Sequence, residues 1–494
     1  MLRPWELSLE IDRQSDTAIH KQIAQKIVAD IQSGRFTPGI ALPGTRDLAN
    51  KIQVNRKTVI QAYDELVAQG WLVSENKRGT FVSQRILSIN YSNQPPSAHF
   101  KNKVDSAPAA VSPFISKRSA NDIIHFSDGL PDARLLPIEL MARAMRHALN
   151  ITARNNKANY GDPRGALILR EAILQMLNIE RALQAKIDNV CMVRGSQMGI
   201  YLIAKTCIKP NQNIVIEQLT SPLVREALMS SNANLISVSH DQEGINTDHL
   251  AILCAQHKIH AVYVTPNHQM PTAVVMSQNR RDRLLALAEQ YEFLIIEDDS
   301  GYEFNFSKEN YLPLASVART KRVIYIGSLS KVLAPGFRLG FIVAASEVIE
   351  ACAKKISIID RQGDLTTELA VAELLHLGEI KKHLLRTVKI YEARQSLLRD
   401  LLQKELGHFV AFNRATNGLA IWLELQPNIN IHALINGAEL EKVHFNAGAE
   451  YSHNLQPVSA IRLGFANLNE EEIRMGVYRL KKAMHNQQPK LLRA

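Results

Sequence analysis

Residues 327–340 read GSLSKVLAPGFRLG. Lys331 stands behind Ser328 and Ser330, and Pro335-Gly336 and Arg338 follow it, the arginine seven residues on. A lysine that forms an imine with pyridoxal phosphate needs such neighbours. Small hydroxyl donors and a fixed arginine hold the phosphate while the amine attacks the aldehyde. Ser-x-x-Lys by itself also describes a surface lysine in a Ser/Gly loop. The Pro-Gly-x-Arg continuation tips the reading towards the cofactor.

The chain around this stretch has 494 residues, too many for one core, so two or three domains are expected. Its hydrophobic content of 46% supplies ample material for large cores. It has no uninterrupted apolar run of about 18 residues, which argues against a transmembrane helix. The opening MLRPWELSLEIDRQ is acidic in places and lacks the apolar core of a secretory signal. Cys191, Cys207, Cys254 and Cys352 lack paired spacing, which argues against a disulfide frame or a zinc site and points to the cytoplasm. The net charge of +10 suits a polyanionic partner. Residues 1–83 carry eleven Lys/Arg against nine Asp/Glu, however, so most of the excess lies further on, where solvated surface is its default explanation.

Three regions separate by composition. Residues 1–83 are helical in pattern. Residues 84–119 hold Pro95, Pro96, Pro108 and Pro113 among serines and asparagines, show no periodicity and read as a flexible linker. From 120 to 494, helical stretches such as GALILREAILQMLNIERAL alternate with β-rich runs such as NIVIE, AVYVT, FLIIE and VIYIG. That alternation implies a mostly parallel α/β sheet with ligands at the C-terminal ends of its strands.

Within 1–83, Ile19, Ile23, Ile27 and Ile31 form one stripe of a helix closed by Gly34. A short helix begins at Thr45. Asn55 caps the helix RKTVIQAYDELVAQG, which ends at Gly70, with Val59, Tyr63, Leu66 and Val67 as its expected buried face and Arg56, Lys57, Ile60, Gln61 and Asp64 on its outward face. WLVSENKRGTFVS then reads as a hairpin tipped by Lys77, Arg78 and Gly79. Three helices and a basic-tipped hairpin describe a winged helix-turn-helix, with one helix in the major groove and the wing on the phosphates. A small helical adaptor with incidental arginines is the competing reading.

In the larger region, Gly195-Ser196-Gln197 opens a helix, where backbone N–H groups bind phosphate well; a capped structural helix would look the same. Asp298 ends the strand FLIIED, where a carboxylate can pair with a protonated pyridine nitrogen, although turn aspartates are common. Arg462 in AIRLGFANL can clamp a carboxylate, or stand at a strand edge. TPNHQMPTA follows the strand AVYVT where a loop would cover the cofactor.

The run SGRFTPGIALPGTRDLANKIQVNRKTVIQAYDELVAQGWLVSENKRGTFV resembles the DNA-binding domain of GntR-type bacterial regulators. Residues 120–494, with GDPRGALILREAI near their start, resemble fold type I pyridoxal-phosphate aminotransferases. As a whole the chain resembles the MocR subfamily of GntR regulators. That resemblance implies a winged helix-turn-helix (α with a small β wing) joined by a linker to an α/β aminotransferase-like effector domain. The effector domain would have a large part to about 350 and a C-terminal small part over about 380–494. It implies a double-stranded DNA operator, pyridoxal 5'-phosphate as cofactor, that cofactor or a small amino compound as effector, a homodimer, and no bound metal or membrane.

By the same resemblance Lys331 carries the imine and Asp298 faces the pyridine nitrogen. Ser196, Gln197, Ser328 and Arg338 hold the phosphate, and Arg462 binds a ligand carboxylate. Thr45, Arg46, Arg56 and Thr58 touch DNA, with Asn55 and Lys57 beside them, and Lys77, Arg78 and Gly79 on the wing. The chain departs from the family pattern at Ser221, where relatives place a ring-stacking tyrosine. It departs again at Ser300 and Gly301, where relatives place a phenol, at Met270, where they have asparagine, at Ala273, where PTG has become PTA, and at Ile60, where some have arginine. These losses favour a sensor over a working aminotransferase, and the intact Lys331, Ser328, Arg338 and Asp298 disfavour a scaffold that has lost its cofactor.

Overall fold

The computed structural model describes residues 11–76, 78–84, 122–126, 129–154, 159–306, 311–318, 321–412, 417–453 and 456–486. Lys77 and the expected linker beyond residue 84 lie outside them. The chain falls into two compact units, Met1–Ile115 and Ser116–Ala494.

The first unit is built on three helices, Ile19–Gln32, Thr45–Lys51 and Arg56–Ala68, followed by an antiparallel hairpin of Leu72–Glu75 and Gly79–Val82. Ile23, Ile27 and Ile31 are buried on one face of the first helix, against Val59, Ala62 and Leu66 of the third. Ile19 is only partly buried at the start of that stripe. The Asn55 side chain accepts the Lys57 N–H and so starts the third helix. The buried face of that helix is Val59, Ala62, Tyr63 and Leu66. Val67, expected inside, is 36% exposed. At 100° per residue Val59 and Leu66 fall about 20° apart at the centre of that face, Ala62 and Tyr63 flank them on either side, and Val67 falls about 80° from Val59, at its edge.

The second unit is organised by a seven-stranded sheet. Its strand order is Val190–Val193, Gly340–Val343, Val323–Ser328, Leu294–Asp298, Ile259–Val264, Asn213–Glu217 and Asn234–Val238. The strands are parallel except Gly340–Val343, which runs antiparallel to both neighbours. They read as nearly continuous apolar runs because helices cover both faces, as Ile200, Ile203 and Ile349 do on one side and Leu250, Leu284 and Leu287 on the other. A long helix, Glu379–Leu406, leads to a smaller antiparallel sheet in the order Val410–Ala411, Ala420–Leu425, Ala460–Gly464 and Asn446–Ala447. Among the described residues no helix is long and apolar enough to cross a membrane.

Tyr63 tests how the first unit is tied together. Its hydroxyl donates to the Pro43 carbonyl at 3.0 Å, and burial pushes its pKa up. Tyr63→Phe leaves that carbonyl without its partner and should cost about 1 kcal/mol in denaturant unfolding of this unit. An unchanged midpoint would show that the bond adds nothing.

Candidate functional site

Lys331 lies in a turn between the strand Val323–Ser328 and the antiparallel strand Gly340–Val343. The turn is fastened at its base. The Ser328 hydroxyl donates to the Leu339 carbonyl at 3.3 Å, the Ser330 hydroxyl donates to the same oxygen at 3.4 Å, and the Leu329 N–H reaches it at 3.0 Å. Arg338 closes a 3-10 turn in the left-handed backbone region (φ 51°), a conformation that costs an L residue roughly 1 kcal/mol. Its guanidinium donates to the Arg194 carbonyl at 3.0 Å. That places it at the start of the helix Gly195–Cys207, whose first turn has no side-chain cap. The orphan N–H groups of Gly195, Ser196 and Gln197 and the exposed Arg338 therefore make one anion-binding corner. The Gln197 side chain is turned away, donating to the Leu223 carbonyl at 2.6 Å, so only its backbone is available to an anion there.

Asp298 ends its strand beside the lysine-bearing one, in register with Ile326. Both carboxylate oxygens are engaged. Oδ2 accepts the Tyr263 hydroxyl at 2.9 Å, and Oδ1 accepts the Ser300 N–H at 3.1 Å together with the Ser300 hydroxyl. Ser300, which stands where a phenol was expected, thus points back at the carboxylate. Tyr302 does not take its place: its hydroxyl donates to the Glu180 carbonyl at 3.2 Å and its ring lies 4.3 Å from the Arg181 guanidinium carbon. Met270 packs with Leu219, Trp422 and Tyr451, and Ala273 holds a left-handed φ of 61° where the pattern has glycine.

Arg462 sits in the smaller sheet opposite Trp422 and Asn446, 1% exposed, and donates to the Pro271 carbonyl. The structure brings Lys331 and Arg462 towards one side chain that sequence reasoning missed, His268. Burial holds this imidazole well below its usual pKa, and the charges of Lys331 and Arg462 add to the effect. His268 is wedged between Gly301 and Gly418 and its buried Nδ1 has no hydrogen-bond partner among the described residues. Tyr263 was missed as well. Both lie in the quoted AVYVT–TPNHQMPTA segment, but only the pairing of strands reveals which of its side chains face Asp298 and Lys331.

Another unforeseen group is Glu217, at the end of the strand Asn213–Glu217. Burial pushes its carboxyl up to about 8, opposed weakly by the Gln269 amide at 3.4 Å. Gln269 also donates to the Leu219 carbonyl at 2.9 Å and accepts from the Thr272 hydroxyl at 2.6 Å, so it pins the covering loop to the sheet.

In the first unit the polar edge of the two paired helices is continuous. Arg56 Nε donates to Thr45 Oγ1 at 3.3 Å, and Arg46, Arg56 and Lys57 are exposed, while Thr58 is partly buried. On the hairpin, Arg78 is exposed, pairs with Glu75 at 2.6 Å and lies over the Phe81 ring, next to Gly79.

Comparison with known proteins accounts for both units. Residues 19–82 match the bacterial regulatory proteins of the gntR family, and residues 121–480 match aminotransferase class I and II. The fold and site thus define a class in which a GntR-type DNA-binding unit precedes an aminotransferase domain. The probable rhizopine catabolism regulatory protein MocR of Rhizobium meliloti is 26% identical, over 96% of this chain and 95% of its own. The HTH-type transcriptional regulator YhdI of Bacillus subtilis is 27% identical over 96% and 97%. The structure of the α-aminoadipate aminotransferase LysN from Thermus thermophilus, complexed with N-(5'-phosphopyridoxyl)-L-leucine, superimposes with a TM-score of 0.68. It is 26% identical, over 74% of this chain and 93% of that one. The chain belongs to the aminotransferase class I and II family and is a GntR-type transcription regulator of the MocR kind.

The Glu217 environment sets a pH dependence. An acid whose pKa is raised by folding stabilises fully only below its unfolded value of 4.5, and stability falls as pH climbs from there to about 8. Glu217→Gln keeps the shape without the charge. Chemical unfolding at pH 5 and pH 8 should show the variant losing less stability than the parent, by of order 2–4 kcal/mol. Identical losses would mean that Glu217 ionises freely in the folded chain.

Proposed function

We propose that this regulator senses pyridoxal phosphate, or an adduct that it forms with a small amino compound, and passes the result to DNA. Pyridoxal phosphate is the cofactor of the aminotransferase class I and II fold. The residues present fit it: an uncapped helix start faced by Arg338 suits the phosphate, and a carboxylate at a strand end suits the pyridine nitrogen. When bound, the cofactor supplies an aldehyde that condenses with amines and a ring that withdraws electrons.

In this reading Lys331 holds the cofactor through its amine. The N–H groups of Ser196 and Gln197, with Ser328 and Arg338, hold its phosphate. Asp298 keeps a proton on the ring nitrogen, and the hydroxyls of Tyr263 and Ser300 keep Asp298 in place. Arg462 receives the carboxylate of an amino compound, and neutral His268 is a hydrogen-bonding group between the arginine and the lysine. Residues 1–83 contact the operator through Thr45, Arg46, Asn55, Arg56, Lys57 and Thr58, and the wing through Lys77, Arg78 and Gly79. Residues 84–119 act as linker and 120–494 as effector domain, in the cytoplasm. A homodimer is supported by exposed apolar side chains, Leu167, Ile168, Ile358 and Ile359, on two segments that meet where Gly161 N–H donates to Gln362 and Arg361 lies over Tyr160.

The observation that carries the sensor reading is the fate of the two side chains after Asp298. Ser300 is taken by Asp298, and Tyr302 by Glu180 and Arg181, so neither supplies a phenol to the ring. A ring held by fewer contacts is bound yet poorly aligned, and misplacement by about 1 Å can cost 100-fold in rate. With the cognate amine, absorbance should change rapidly and DNA affinity should shift, while keto acid forms orders of magnitude more slowly. Lys331→Ala should remove the visible band of the lysine-bound cofactor and the DNA response to the amine. Sustained turnover at about 1 s⁻¹ or faster would instead make the chain a working aminotransferase.

Operator binding separates the two kinds of contact. Arg46→Ala and Arg56→Ala should each cost about 1–3 kcal/mol on the operator and relax its sequence preference. Arg78→Ala should weaken all sequences alike and lower the salt slope by about one. Affinity of the full chain for DNA that none of the three changes alters at low salt would place the interface elsewhere.

A further inference from the structure

Arg462 lies in the smaller sheet and Lys331 follows a strand of the large one, so the span between them depends on how the two sheets are joined. One joint is made by Arg225, in the helix Pro222–Met229 that follows the strand Asn213–Glu217. Its side chain is buried. Arg225 Nη1 donates to the Thr220 carbonyl at 2.6 Å and to the Tyr451 carbonyl at 2.8 Å, and Nη2 donates to the Glu450 carbonyl at 2.9 Å. Thr220 stands on the large sheet's side of the joint, Glu450 and Tyr451 on the smaller sheet's side. Two backbone bonds run alongside: the Thr220 N–H donates to the Tyr451 carbonyl at 2.8 Å, and the His453 N–H to the Gln218 carbonyl at 3.2 Å.

All three of these acceptors are backbone carbonyls, and a buried cation needs every one of them. Because they come from both sides of the joint, the planar guanidinium reaches them together only at one placement of the two segments. Tyr451 carries that placement to Arg462. Its hydroxyl accepts from Asn446 Nδ2 at 3.2 Å, and its ring meets Trp422 edge-on with 6.0 Å between centroids. Asn446 and Trp422 are the residues that pair with Arg462 across the smaller sheet. On the other side, Gln269 ties the Leu219 carbonyl to the loop whose Pro271 carbonyl accepts from Arg462. A ligand carboxylate at Arg462 competes with that Pro271 carbonyl, whereas the Arg225 bonds involve neither group.

We propose that Arg225 is a positioning residue that fixes the span between Lys331 and Arg462, and so sets how far apart the amine and the carboxylate of an amino compound must stand. The proposal rests on the reading that Lys331 holds pyridoxal phosphate and Arg462 receives a carboxylate. A site of fixed dimensions discriminates one methylene by about 10–200-fold. A joint that yields gives up that discrimination while the cofactor and the amine are still bound. Lysine at position 225 brings one ammonium where the guanidinium brings two nitrogens to three carbonyls, and methionine brings no donor.

The test titrates the full chain, loaded with pyridoxal phosphate, and reads the visible absorbance of the cofactor. Glycine, β-alanine, 4-aminobutanoate and 5-aminopentanoate move the carboxylate away from the amine one methylene at a time, and propylamine has no carboxylate. The parent should prefer one length over its neighbours by about tenfold or more. Arg225→Met should compress that preference to within about threefold, and Arg225→Lys should fall between the two. Propylamine should keep its affinity within about twofold in both variants, since it makes no use of Arg462. Should Arg225→Met fail to fold, Arg225→Lys decides together with Tyr451→Phe, which removes the acceptor of Asn446 and should also narrow the preference. A parent indifferent to length, or variants that keep its preference, would overturn the proposal. So would variants that lose propylamine as much as the amino acids, because that is the mark of a structural role alone. A parent that forms no visible band with pyridoxal phosphate refutes the cofactor reading before any amine is added, and this proposal with it.

Discussion

A methyl group built on Gly340 would stand 2.7 Å from the carbonyl carbon of Gly195 and 2.9 Å from the nitrogen of Ser196. No side chain fits there, and the rest of the site follows from that contact. It lets the antiparallel strand Gly340–Val343 lie flush against the first turn of the helix Gly195–Cys207 while pairing on its other edge with the strand that ends at Ser328. The lysine turn is therefore closed on itself by the Leu339 carbonyl, which Ser328 and Ser330 reach from its start, and its end is anchored by Arg338 against Arg194. Positioning by backbone contact loses little order when side chains nearby are exchanged. That is why the anion corner is complete in a chain whose ring contacts have been replaced.

The same economy runs through the buried charges. Asp299 accepts from Asn267 at 3.0 Å and from Tyr325 at 2.8 Å, and Glu297 accepts the N–H groups of Leu314 and Ala315 at 2.7 and 2.9 Å. Burial raises the pKa of both carboxyls. Removing one donor of such a set leaves a buried polar group unsatisfied, typically at about 1–3 kcal/mol. Around Ser300 and Met270 the hydrogen bonds run to Asp298 and through Gln269 to Leu219 and Thr272.

Much of this was legible in the residues. Four of the seven strands announce themselves as the apolar runs NIVIE, AVYVT, FLIIE and VIYIG, and the Ser-x-Ser-Lys and Pro-Gly-x-Arg spacing depends on one local turn, so a linear reading reaches it. The Ile23, Ile27 and Ile31 stripe was equally plain, since a helix repeats its face within the sequence itself. Val67 failed at the margin of such a face, where a single step of 100° separates buried from half-exposed. What stayed hidden depends on which strand lies beside which. Tyr263 meets Asp298, 35 residues away, only because their strands are neighbours, and Arg462 reaches the Pro271 carbonyl across 191 residues. His268 looked like one more loop residue because its neighbours Gly301 and Gly418 come from separate parts of the chain.

Those hidden pairings also explain why the missing tyrosines do not empty the site. A serine at position 300 is short enough to turn back on Asp298, which a phenol could not do from the same backbone, so the carboxylate gains a donor while the ring loses one. Tyr302, one residue beyond Gly301, is drawn instead to Arg181, whose guanidinium already holds Glu303 and Tyr325. Ser300 thus adds to the hold on Asp298, and Tyr302 joins the network around Arg181.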